Sequence, residues 1–183
     1  SLSSLEGRRR AARAAAAGRS VRPMPPSPDA DLEAHAADAL LGTRLVALTQ
    51  GFELLHAAAE QREWSFRPEE VAAFWRAGCI IRSQLLDEVI PSLARHGAHL
   101  ATAPSVVETL ASADRGWRRA VVAAVERHLP IPIMSSALAW HDALLAERLP
   151  TALVQAQRDV FGAHGYRRVD RDGDFHSDWS TRR

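Results

Sequence analysis

From Leu32 to Leu55 the apolar residues keep to helical spacing: Leu32, Ala36, Ala39, Leu40, Thr43, Val46, Ala47, Phe52, Leu54 and Leu55. Little elsewhere alternates with the period of two that a half-buried strand needs. Together these predict an all-α fold. Gly42 and Gly51 interrupt the long stripe, and each costs about 1 kcal/mol relative to alanine in a helix. They are tolerable if neighbouring helices pack closely there.

The remaining segments carry their own start and stop signals. Residues 1 to 17 mix Ala, Arg and Ser in helix-favouring proportion, with Leu2 and Leu5 as an apolar edge. Such a stretch can mimic a transit peptide; the tail of a longer helix is the preferred reading. Gly18 to Pro28 carries Pro23, Pro25, Pro26 and Pro28 and is read as a linker. Asp29 or Asp31 is placed to cap the long helix. Ser65 to Glu70 is a helix start with an early proline, running to about Arg76 before Ala77-Gly78 breaks it. A helix is expected from Ile80 to about Ala94 with Pro91 inside it, then a turn from His96 to Pro104. Helices follow from Val106 to His128, from Ile133 to Arg148, and from Leu149-Pro150 to Gly162, where a left-handed cap is expected. His164 to Arg183 shows no helical period and is read as an irregular tail.

Composition closes off several classes. With 46% hydrophobic and 25% charged residues and a net charge of +1, nothing draws the chain to nucleic acid or to a membrane surface. No apolar run approaches the roughly 20 residues that cross a bilayer. The single cysteine, Cys79, cannot form an internal disulfide, which fits a reducing, cytoplasmic setting. All 23 basic residues are arginine. A lysine base, Schiff base or phosphate-loop lysine therefore cannot come from this chain. The first residue is Ser1 rather than methionine, as expected of a processed chain or a fragment.

Several clusters invite a chemical reading. Glu53 and His56 have the Glu-x-x-His spacing of a di-iron bundle, but no second pair completes it. Asp170, Asp172 and Asp174 surround Gly173 without the distal glutamate of a calcium loop, so a solvated turn is expected. Arg76 and Arg82 flank Gly78-Cys79 and are read as partners of carboxylates or helix ends. Cys79 is read as buried and inert. Trp64, Trp75, Trp117 and Trp140 are expected as core or interface anchors. By spacing alone, Arg158 offsets a helix C-terminus and His164 is a surface residue.

A resemblance changes the weight of that last pair. Ser1-Leu2-Ser3-Ser4-Leu5, Gln50-Gly51-Phe52-Glu53-Leu54-Leu55 and Trp75-Arg76-Ala77-Gly78-Cys79-Ile80-Ile81-Arg82-Ser83 each resemble segments of 6-phosphogluconate dehydrogenase, in that family's order. So do Ala156-Gln157-Arg158-Asp159-Val160-Phe161-Gly162-Ala163-His164 and the tail residues Phe175, His176 and Trp179. The resemblance covers nearly the whole chain, although Glu6 to Asp31 matches poorly. Ala77 stands where the family has glycine, and Gly165 where it has threonine.

The resemblance implies the second half of that family's helical domain, without its Rossmann domain or its lysine and glutamate acid/base pair. The organisation expected is a remnant helix and linker (1–28), an all-helical domain (29–163) and an irregular tail reaching a partner subunit (164–183). It implies oxidative decarboxylation of 6-phosphogluconate to ribulose 5-phosphate in the pentose phosphate pathway. NADP would be bound by an N-terminal domain outside this chain, and the subunits would form a homodimer. It assigns Arg158 and His164 to the substrate phosphate of the neighbouring subunit, and leaves no catalytic, cofactor or metal residue in this chain. The isolated chain is expected to be inactive and to expose apolar surface. The alternatives are a non-catalytic dimerisation or regulatory module and a small metal-binding bundle.

Overall fold

The computed structural model describes residues 6–16 and 31–181. The Leu2–Leu5 edge, the 18–28 linker and the Asp29 cap lie outside those residues. The described chain contains helices α1 (Glu6–Ala16), α2 (Leu32–Arg62), α3 (Pro68–Trp75), α4 (Gln84–His96), α5 (Pro104–Glu126), α6 (Pro132–Leu145) and α7 (Ala152–Gly162). A short antiparallel hairpin follows, with β1 (Tyr166–Arg167) paired to β2 (Asp174–Phe175). The all-α expectation holds. None of these helices is long and apolar enough to cross a membrane.

The chain forms two compact units, Ser1–Ala139 and Trp140–Arg183. In the first, α2 and α5 make the most extensive helix pair. To the buried core α2 contributes Leu45, Val46 and Phe52, and α5 contributes Leu110, Ala113 and Trp117. Trp117 is 0% exposed, and its indole Nε1 donates to the Met134 carbonyl at 3.2 Å. A Cβ on Gly42 would lie 2.3 Å from Cε3 and 2.5 Å from Cζ3 of that indole, and one on Gly116 would meet Asp38. Gly42 thus explains itself, because α2 and α5 approach too closely there for a side chain. Gly51 does not: a Cβ there meets nothing within 4 Å. Trp75 packs on Phe52 with ring centroids 5.2 Å apart. Trp64, expected as an anchor, is 66% exposed.

Asp31 occupies the N-cap position of α2, and Pro68 opens α3. The expected start of α4 at Ile80 is corrected to Gln84. Gly78 takes a left-handed φ of +70°, the Arg82 amide closes a turn on the Cys79 carbonyl at 3.1 Å, and Ser83 is extended. Those residues are consumed by the turn, and Ile80 projects fully into solvent. Cys79, expected buried, is only half-buried, because its neighbours in this turn do not cover it. Arg76 pairs with Asp87 of α4, as a structural reading requires. The turn from His96 to Pro104 contains a single 3-10 turn, Leu100–Thr102, which packs against α2, α4 and α5 through buried Leu100.

Candidate functional site

The second unit places both predicted site residues. Thr151 stands at the N-cap of α7, and the helix ends at Gly162. The left-handed residue is Ala163, with φ 48°, and not Gly162 as expected from sequence. Gly162 remains helical for a different reason. The His164 ring folds back over it, and a Cβ there would lie 2.8 Å from the imidazole Nε2. Residues four apart share a helix face. The imidazole therefore sits in the side-chain place of position 162, one turn along the same stripe from Arg158. Both side chains are exposed, and among the described residues neither has a hydrogen-bond or ion-pair partner.

The next residue faces the other way. Asp159 is 1% exposed, and it is the one buried residue of α7. A carboxylate near a helix C-terminus is opposed by the helix dipole. Here it is met by four donors. Oδ1 accepts from the Gly165 amide at 3.0 Å and lies 2.8 Å from His176 Nδ1. Oδ2 accepts from the Ser177 amide at 3.0 Å and the Trp179 indole at 2.8 Å. An ionised carboxylate only accepts, so His176 carries its proton on Nδ1. Burial alone would push this carboxyl up. The donors, led by His176, Ser177 and Trp179, outweigh that and hold it well below the usual carboxylate range.

This anchor ties the tail to α7. The hairpin that follows is braced by Tyr166, whose hydroxyl lies 2.7 Å from Ser177 Oγ, and by Arg168, whose guanidinium stands 5.6 Å over the Phe175 ring. Sequence reasoning had Asp159, His176 and Trp179 only as matched letters, not as one constellation. The available signal was an aspartate in the last turns of a helix, where a negative charge needs donors from elsewhere.

Other candidate sites resolve as structure. His56 sits 5.5 Å edge-on from His99 and 3.5 Å from Glu60. Among the described residues no group of three or more His, Cys, Asp or Glu side chains could hold a metal ion. Asp174 pairs with Arg167 across the hairpin, and Asp170 with Arg168 within its connecting turn. A groove of about 780 Å³ runs between the end of α6, α7 and the hairpin, lined in part by Arg148, Arg167 and Arg168. Two of those arginines are already neutralised, and neither Arg158 nor His164 lines it.

Fold and site together define a class: an all-helical domain with a carboxylate-anchored tail that presents an unneutralised Arg–His pair. Residues 1–179 match the family model described as 6-phosphogluconate dehydrogenase, C-terminal domain. The decarboxylating 6-phosphogluconate dehydrogenase of Treponema pallidum is 43% identical over 147 residues, covering 78% of this chain and 30% of that protein. The Escherichia coli K12 enzyme is 37% identical over 180 residues, covering 97% and 38%. A solved 6-phosphogluconate dehydrogenase of Plasmodium falciparum, described as apo and in complex with NADP+ and with 6-phosphogluconate, superimposes with a TM-score of 0.82 at 31% identity. It covers 93% of this chain and 38% of that one. The chain belongs to the 6-phosphogluconate dehydrogenase family, as the motif resemblance implied, and spans under two fifths of the length of these relatives.

Proposed function

We propose that this chain is the C-terminal part of a decarboxylating 6-phosphogluconate dehydrogenase acting in the cytoplasm, and that Arg158 and His164 hold the phosphate of 6-phosphogluconate. The observation that carries this is the pair itself: two exposed cationic or cation-capable groups on one stripe, with no carboxylate neutralising either. A guanidinium grips phosphate through two parallel hydrogen bonds, and an imidazole adds a further donor. The end of α7 repels anions by its dipole, so these side chains must supply the attraction.

The chemistry lies elsewhere in the complete enzyme. The strands described here are one antiparallel two-residue pair, not the parallel unit with a glycine-rich turn that cradles a dinucleotide. The residues present do not fit NADP, which in this reading is held by an N-terminal domain. Leu153 and Phe161 of α7 and Leu54 of α2 stand largely in solvent, as do Phe74 and Ile133. That apolar surface suits contact with the rest of the subunit and with a second subunit, the tail from His164 onward reaching the neighbouring active site.

The test is complementation. The pure chain is expected to form no NADPH from 6-phosphogluconate and NADP, and activity is expected when the N-terminal half is supplied. In that complex Arg158→Ala should raise KM for 6-phosphogluconate about 10- to 100-fold, the loss of a charge-assisted contact. Turnover by the pure chain, or an unchanged KM in Arg158→Ala, refutes the reading.

A further inference from the structure

Resting on the phosphate-binding reading above, the geometry points to Asp159 as the positioning residue of the pair: it fixes where His164 stands relative to Arg158 without touching the ligand.

His164 occupies the middle of a chain reversal, and both of its neighbours are tied to this one residue. The Ala163 amide donates to the Asp159 main-chain carbonyl at 2.9 Å, and the Gly165 amide to its carboxylate Oδ1 at 3.0 Å. With both flanking peptides held, the histidine backbone is fixed, and the ring is left to lie over Gly162. Arg158 is the preceding residue in sequence. A single residue step along the helix therefore sends the guanidinium outward and the carboxylate inward, about 100° apart. Any shift of the carboxylate moves both phosphate ligands together.

The second oxygen fastens the far end of the tail through Ser177 and Trp179. The donors also shield the site. An unpaired carboxylate beside Arg158 would repel a phosphate, whereas this one is sealed from solvent and ringed by four hydrogen-bond donors. An apolar side chain could fill the same interior, but it would not fix direction. Hydrogen bonds to a carboxylate do.

The experiment uses the 183-residue chain, uniformly isotope-labelled and complemented with the unlabelled N-terminal half, and 6-phosphogluconate as the probe. Wild type, Arg158→Ala and Asp159→Asn are compared by NMR, reading the His164 ring resonances without ligand and their saturable shift with it. Asp159→Asn keeps the size but turns an acceptor into a donor facing N–H groups. It should move the ligand-free His164 ring resonances and weaken binding about tenfold, while the amides of Ala152–Gly162 stay in place. Trp179→Phe removes one donor and should weaken binding by a smaller factor; it carries the test if Asp159→Asn loses its tail. A His164 ring unmoved in both variants overturns the positioning role, whatever the ligand does. If the complemented wild type does not bind, or Arg158→Ala in that complex binds as well as wild type, the phosphate reading fails instead. The ligand-free ring resonances then still decide the positioning role.

Discussion

Two glycines of one helix make a sharp test of the packing argument. Gly42→Ala and Gly51→Ala are the same chemical change in α2, and the structure predicts opposite signs. In both, alanine gains about 1 kcal/mol of helix propensity. At Gly51 nothing lies within 4 Å of the new methyl, so the gain stands alone. At Gly42 the methyl comes within 2.3 Å of the indole of Trp117, which is wholly buried and tethered to the Met134 carbonyl. Overpacking of this kind costs about 1–3 kcal/mol, and breaking the indole tether costs about 1 kcal/mol more. The net loss is about 1–3 kcal/mol. For a chain of this size about 2–4 °C of Tm accompanies each kcal/mol, so thermal melts followed by circular dichroism should drop by about 2–12 °C for Gly42→Ala and rise slightly for Gly51→Ala. In a Trp117→Leu background the Gly42→Ala penalty should shrink by about 1 kcal/mol or more, the signature of two residues in contact. Shifts of the same sign for both glycines, or full additivity with Trp117→Leu, would refute the close approach of α2 and α5.

Gly162→Ala should leave α7 as stable or slightly more stable, yet displace His164 and raise KM for 6-phosphogluconate in the complemented enzyme; an unchanged KM removes the His164 ring from its place over position 162. Asp159 has a lowered pKa in the folded chain, so its stabilisation of the tail is complete above its ordinary value of 3.8 and is lost progressively as pH falls below it. Near-UV dichroism of wild type and Asp159→Asn should therefore differ most near neutral pH and converge in strong acid; a difference that grows on acidification contradicts the ionised anchor. Half-buried Cys79 should react with a thiol reagent in the native state, and a requirement for denaturant would restore the buried reading.

The helices were legible because their signal is periodic and local. Apolar spacing drew α2, Pro68 marked the start of α3, and Pro150 with Gly162 bracketed α7. The failures share one physical cause. Ile80 and Ile81 are apolar and so were read into a helix, yet a left-handed Gly78 and an extended Ser83 commit them to a turn. Gly162 was read as the residue that leaves the helix, because glycine is the usual choice there. Its actual role depends on a ring from two residues further on. Arg158 and His164 were found through motif resemblance rather than periodicity. Asp159 could not be separated from its neighbours in that motif, because its partners at 165, 176, 177 and 179 become visible only once the tail folds back.

The second unit keeps its shape in an unusual way for a protein segment. Between Trp140 and Ser180 the buried residues are His141 and Asp159, with no aliphatic residue among them. Unfolding it alone releases little oily area to water, so that step carries a small heat-capacity change. Chilling, which weakens the hydrophobic drive, should leave this end of the molecule intact while it softens the helical layers upstream. Strong acid should do the reverse.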